Sequence, residues 1–188
     1  GSISHRLALR RPEPFAPALD PGAAEPSLLS YARSKLAVTL FGLVLADGLA
    51  AAGSSVSSVV AHPGVSVDRL TPPRDGIPPS QPMGETVGAV VTVRLGARLM
   101  HGKDAGARVL VHAATSPQVR NGEVWGPSGR GRLNGEATRL RPHPRLRDPH
   151  LVHELLGLSR RLTGLDLPLL GPRAGDHPGR DTARGDMA

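Results

Sequence analysis

The stretch Tyr31-Ala32-Arg33-Ser34-Lys35, continuing as LAVTLFGLVLADGLAAAG to Gly53, decides how the chain is read. Tyr31 is its single tyrosine. Lys35 and Lys103 are the only lysines among 23 basic residues, which leaves 21 arginines. A position needed only for charge would, with that bias, be arginine. The two rare residues stand four apart at the head of an apolar run. At ~3.6 residues per turn they share one helix face, one turn apart. An ammonium held near a phenol favours the phenolate and prepares a proton donor and acceptor for work near neutral pH. Behind them Leu36, Leu40, Phe41, Val44 and Leu45 form a helical stripe, and Val38 and Leu43 widen it. The spacing predicts a helix over 27–53 that is buried on more than one side, against a sheet and against a partner helix.

With 188 residues the chain can build one domain with a real core. It has no cysteine, so disulfides and thiolate metal sites are excluded. Its formal net charge of +7 raises nucleic acid as a partner, but the arginines are scattered and only 2% of residues are aromatic. Without stacking platforms between the cations, no nucleic-acid partner is expected. No uninterrupted apolar run reaches the ~20 residues of a membrane span, and no basic-then-apolar leader opens the chain. A cytoplasmic protein with no membrane span is the expectation.

Elsewhere the pattern alternates helix and strand. Five prolines between Pro12 and Pro26 predict an exposed loop. VSSVVA, Val56–Ala61, is β-branched and predicts a buried strand. His62-Pro63-Gly64 ends it at once, in the position where open α/β sheets bind ligands. A turn with a bare glycine there can bring backbone close to a flat ligand, or simply end the strand. Residues 70–82 form a second proline-rich loop, long enough to act as a lid. Helices are predicted over 84–101 and 103–114. GEVWGP, 122–127, predicts a short strand over 123–125 and a Gly-Pro turn, with Trp125 as a packing residue. Residues 129–147 are basic and loop-like. Asp148-Pro149 starts a last helix with a capping side chain and a preset first position. Leu151, Leu155, Leu158 and Leu162 are its stripe, and Gly164 stops it. His150 and His153 could touch one metal ion but lack a third ligand, so no metal is expected.

The ordered set of these features resembles the second half of a short-chain dehydrogenase/reductase. Ser-x-x-His-Arg at the start, Tyr-x-x-x-Lys on a long apolar helix, a β-branched strand and then His-Pro-Gly follow in the family's order. The retinol dehydrogenase and protochlorophyllide reductase-like branch is the most similar, through Ser34-Lys35-Leu36-Ala37, Ala61-His62-Pro63-Gly64, Ala113-Ala114-Thr115, the segment Asn121 to Pro127, and Leu162-Thr163-Gly164. The resemblance covers roughly 2–168. It implies an α/β fold, the C-terminal half of a Rossmann-type doubly wound parallel sheet. It also implies hydride transfer between NADP or NAD and a small carbonyl or alcohol substrate. Tyr31 would exchange a proton with the substrate oxygen. Lys35 would tune Tyr31 and bond the nicotinamide ribose, and Ser2 would hold the substrate oxygen. Pro63 and Gly64 would border the nicotinamide, Val65 would offer backbone to its carboxamide, and Ser66 is the nearby hydroxyl. Homodimerisation through the helix of 31–52 is also implied.

Three departures qualify the expectation. The family's first βαβ half, with its Gly-rich turn for the pyrophosphate, is missing. The threonine expected after the Pro-Gly turn aligns with Asp68. The tyrosine of the GGxYxGP segment is replaced by Val124-Trp125. Residues 1–168 are therefore expected to be a partial catalytic and substrate-binding domain followed by a disordered tail, 169–188. Such a domain would have an open sheet edge, weak independent stability and impaired cofactor binding. The alternative is a catalytically inactive remnant that serves as an oligomerisation or interaction module.

Overall fold

A computed structural model describes residues 1–12, 14–15, 27–66 and 100–165. The proline-rich loop of 70–82, most of the loop of 12–26, residues 84–99 of the expected helix and the tail lie outside these residues. The described chain is mixed α/β, in the order α1 His5–Ala8, α2 Ser27–Ala51, β1 Val60–Ala61, α3 Lys103–Thr115, β2 Val124–Pro127, β3 Ala137–Leu140 and α4 Pro149–Thr163. Short 3-10 turns, Arg130–Arg132 and Pro144–Arg147, flank β3.

The helix of 27–53 forms as the periodicity predicts, and two different surfaces bury it. On one side Ala32, Leu36 and Leu40 are fully buried and cluster with Ala8 and Leu9 from the α1 region, Leu146, and Leu151, Leu155 and Leu158 of α4. The leucines of α4 recur every three or four positions, which puts them on the stripe that closes this cluster. On the other side α2 crosses β1 so closely that a Cβ on Gly42 would stand 2.7 Å from Val60 Cγ2. Ser58 ties the two together by donating its hydroxyl to the Gly42 carbonyl at 2.8 Å. The third face stays open, with Leu28, Tyr31 and Val38 exposed. By length and composition Leu28–Ala51 could cross a membrane. Core helices of water-soluble proteins, which are mostly buried, and signal sequences meet the same criterion; here 28% of the window is buried inside the protein.

The sheet has the order β1-β2-β3. β1 and β2 are parallel, with Val60 opposite Val124 and Ala61 opposite Trp125. β2 and β3 are antiparallel, from Val124 opposite Leu140 to Pro127 opposite Ala137. α3 covers the sheet through Val109, fully buried. Trp125 packs as expected, its indole 4.6 Å from the His112 ring between centroids.

Three strand expectations need correction. The strand of 56–61 is reduced to its last two residues, because Val56 is exposed and side chains occupy the backbone before Val60. Asn121 Oδ1 accepts the Ser58 N–H at 2.8 Å, and the Gly122 N–H donates to the Ser58 carbonyl at 2.9 Å. The strand at Trp125 runs on through Pro127 instead of turning at Gly126. Within the basic segment of 129–147, β3 forms where a loop is expected, held by the Arg139–Glu123 ion pair at 3.1 Å. Two arginines anchor the N-terminal segment. Arg145 donates to the carbonyls of Leu9, Arg11 and Pro12, and Arg33 donates to that of Pro14.

The start of α4 agrees with its sequence. Asp148 accepts the His150 N–H at 3.0 Å and Pro149 occupies the first helical position. Asp148→Ala should therefore lower stability by about 1 kcal/mol. Urea denaturation of the two proteins measures it, and an unchanged midpoint would mean that the cap is replaced by water without loss.

Candidate functional site

Parallel strands point their carboxyl ends to one edge of a sheet, and ligand sites of open α/β folds lie there. In this chain the carboxyl end of β1 gathers the first residues, the head of α2 and the turn after the strand. Gly1 lies alongside β1, so close that a Cβ on it would be 3.0 Å from Val60 Cγ1 and 3.1 Å from the Ala61 carbonyl. It stands on the edge of β1 that has no paired strand among the described residues. Ser2 follows, and its hydroxyl accepts from the Ser4 N–H at 3.3 Å and the Ser4 hydroxyl at 3.0 Å. The Ser2 carbonyl accepts from His5 Nδ1 at 2.5 Å, and His5 is buried.

The Tyr31–Lys35 pair is formed as its spacing requires. Lys35 Nζ lies over the Tyr31 ring, 5.2 Å from its centroid. Such a contact attracts the ammonium to the ring face and orients both side chains. The Tyr31 ring is 47% exposed, and its hydroxyl hydrogen-bonds nothing among the described residues. The Lys35 charge reaches the Gly1 amine. Burial first, and then that charge, lowers the amine pKa. Tyr31, Lys35 and the start of the chain therefore border one region.

His62 follows β1 directly and packs against Gly126 of β2. It is only 2% exposed, and its Nδ1 accepts the Gly64 N–H at 3.2 Å. That bond assigns the remaining proton of the neutral ring to Nε2, which is buried without a partner among the described residues. Burial above all, then the charges of His5, the Gly1 amine, Arg6 and Arg132, push the His62 pKa down to about 4. The imidazole is thus neutral at physiological pH. His5 is also lowered, by burial and by Arg6, His143 and the Gly1 amine, against a raising effect of the bond to Ser2.

The turn after His62 is engaged by the protein itself. Gly64 is in the left-handed region, with φ 78°, and a Cβ there would stand 2.2 Å from the Leu133 carbonyl oxygen and 2.8 Å from Pro127 Cγ. The Val65 N–H donates to the same carbonyl at 2.8 Å, and the Val65 carbonyl accepts the His101 N–H at 3.2 Å. The bare face of Gly64, read as an approach for a flat ligand, is occupied by backbone from the loop after β2. Pro63 offers its carbonyl to His101 Nε2 at 2.6 Å. Ser66 keeps a buried hydroxyl without a partner among the described residues, near the first turn of α3.

No family model, curated protein or solved structure matches this chain. The site therefore stands on its own geometry. Among the predicted residues, Tyr31 and Lys35 are in contact, and the Ser2 hydroxyl is bonded to Ser4 and not to the phenol. Pro63, Gly64, Val65 and Ser66 follow β1 as predicted, but the donors and acceptors of Val65 are already paired. A nicotinamide carboxamide does not fit that turn while Leu133 holds it. No Gly-rich turn between a strand and a helix occurs among the described residues to receive a pyrophosphate. No cluster of three metal-ligating side chains occurs among them either, and His150 and His153 are both exposed on α4. Sequence reasoning passed over two residues of the region. His62 was read only as part of a turn, although a histidine directly after a buried strand is a signal for a buried ring. Arg132 was one of many scattered arginines, with nothing in the sequence to single it out.

Proposed function

We propose that this chain is the catalytic and substrate-binding part of an NADP- or NAD-dependent oxidoreductase of short-chain dehydrogenase/reductase type, with Rossmann-type ancestry and incomplete cofactor binding. Its substrate would be a small carbonyl compound or alcohol in the cytoplasm. The observation that carries this reading is the Lys35 ammonium over the Tyr31 ring, at 5.2 Å, with the Lys35 charge reaching Gly1, which lies against Ala61 of β1. Tyr31 would donate its proton to a carbonyl oxygen as that oxygen gains charge, or accept it from an alcohol. Lys35 would hold the phenol in place. Ser2, one bend away, would bond the same substrate oxygen. The Pro63–Ser66 turn would need to release Leu133 before it could border a nicotinamide.

The test has two parts. Titrating NADPH and NADH against the chain by nicotinamide fluorescence should show no saturation in the micromolar range, and tight binding would overturn the incomplete cofactor site. Carbonyl reduction is then assayed at millimolar cofactor. Tyr31→Phe should lower it by about 10²-fold or more, the usual contribution of a positioned acid. Undiminished turnover in that variant would assign the proton transfer to another group.

A second reading rests on a different observation. Leu28, Tyr31 and Val38 leave an apolar face of α2 exposed, at 62%, 47% and 53%. That face suits a remnant without activity whose α2 pairs with a second copy. A chain that is dimeric by light scattering and inert at millimolar cofactor would favour it.

A further inference from the structure

The buried ring of His62 has no place for a second proton. Its Nδ1 accepts the Gly64 N–H at 3.2 Å, so that nitrogen is bare. The proton of the neutral ring is on Nε2, which has no acceptor among the described residues. The imidazole is pressed on the bare Cα of Gly126, where an added Cβ would overlap Nε2, Cε1 and Leu140 Cδ1. A second proton would set an Nδ1–H against the Gly64 N–H, two donors facing each other. It would also bury a charge whose two N–H groups find no acceptor. The charged and titratable groups around the ring do not relieve this. His5 and Arg6 of α1, the Gly1 amine and Arg132 of the loop after β2 bear on it, and none is acidic. β2 and β3 face it with Gly126 and Leu140, which carry no charge.

Gly64, the donor to His62, is also the seat of Leu133. Its Cα lies against the Leu133 carbonyl, and the Val65 N–H donates to that carbonyl at 2.8 Å. Leu133 belongs to the loop of 128–136, which joins β2 to β3 and is bonded to itself. Ser128 N–H donates to the Glu136 carbonyl and Gly129 N–H to the Asn134 carbonyl, both at 2.8 Å. Arg132, just before Leu133, is held at φ 63°, and every other positive φ among the described residues belongs to a glycine. Strain of that kind persists only while the surrounding structure imposes it. It favours release of the loop once the seat of Leu133 loosens.

We propose that His62 is a proton-operated latch on this turn. Protonation of its ring frees Gly64, breaks the bond from Val65 to Leu133, and lets the loop of 128–136 lift while the rest of the fold stays closed. The latch stands whether or not the site takes a cofactor, and it names an event that clears the turn of Pro63 to Ser66.

Hydrogen exchange of the backbone amides in the full chain, corrected for its intrinsic pH dependence, reads the latch. The Val65 amide should be less protected than that of Leu155 in the α4 core. Low urea should leave its protection unchanged, as a local opening requires. Between pH 6.5 and 4 that protection should fall by about 10²-fold, as follows from a ring pKa of about 4 with the turn closed against 6.5 in water. His62→Asn keeps an acceptor for the Gly64 N–H and takes up no proton, so it should hold the protection constant over that range. In the parent chain the ring resonances of His62 should titrate together with the loss at Val65, which tests the latch even where the variant does not fold. Protection of Val65 equal to that of Leu155 at every pH and urea concentration, a fall that survives in His62→Asn, or a ring that titrates while Val65 stays protected would overturn the proposal.

Discussion

Gly64→Ala should destabilise the fold by about 3 kcal/mol, from about 1–2 kcal/mol for a left-handed residue with a Cβ and about 1–3 kcal/mol for overpacking. The methyl group would meet the Leu133 carbonyl oxygen at 2.2 Å, and backbone cannot swing aside as a side-chain tip can. Relief would require the loop of 128–136 to lift off the turn, which also breaks the 2.8 Å bond from Val65 to Leu133. Gly53→Ala is the internal control. Gly53 has φ 64° and nothing within 4 Å of the added carbon, so it should lose only the conformational part, about 1 kcal/mol. The difference between the two variants by urea denaturation isolates the seat of Leu133 on the turn. Equal losses would show that the loop moves away freely, and the turn would then be open to a ligand.

Acid should unfold this chain earlier than its carboxylates alone require. The His62 pKa is displaced from 6.5 to about 4 in the folded state. Between these values the unfolded chain binds a proton that the folded chain refuses. The stability is therefore fully present above pH ~6.5 and is lost as pH falls towards ~4, below which this group contributes no further slope. A displacement of that size is worth about 3 kcal/mol. His5 shifts in the same direction and adds to the slope. His62→Asn is the diagnostic variant, because its amide oxygen can accept the Gly64 N–H as Nδ1 does. The loss of melting temperature between pH 6.5 and 4 should shrink by more than half. An acid limb identical to that of the parent chain would place the proton uptake elsewhere.

What the sequence made legible depended on period and punctuation. The rare Tyr31 and Lys35, four apart, put an ammonium over a ring, because helical spacing alone brings such residues together. Asp148, Pro149 and Gly164 bounded α4 for the same local reasons. Local reasoning failed where partners came from far along the chain. Val56 to Val59 has strand composition, yet Asn121, more than 60 positions later, takes the Ser58 amide and leaves only Val60 and Ala61 to pair. The segment around Arg139 reads as a basic loop, and becomes a strand because β2 offers it an edge and Glu123 a counter-charge. Gly64 was legible as a glycine that must be bare, but what it is bare for is a carbonyl 69 positions away. The strain at Arg132 had no signature at all, since it follows from the clamp on Leu133.

Helix α2 waits a long time for its cover. Leu36 and Leu40 are buried by leucines of α4, which begins at Pro149, 109 positions after Leu40. At about 5–20 residues per second of synthesis, that interval is about 5–20 s. Throughout it the nascent chain presents an apolar helix whose α4 cover has not yet been made, while collapse of small segments takes microseconds. The helix that carries the proposed proton donor is thereby open to capture by chaperones, by aggregation or by another copy until α4 has been made.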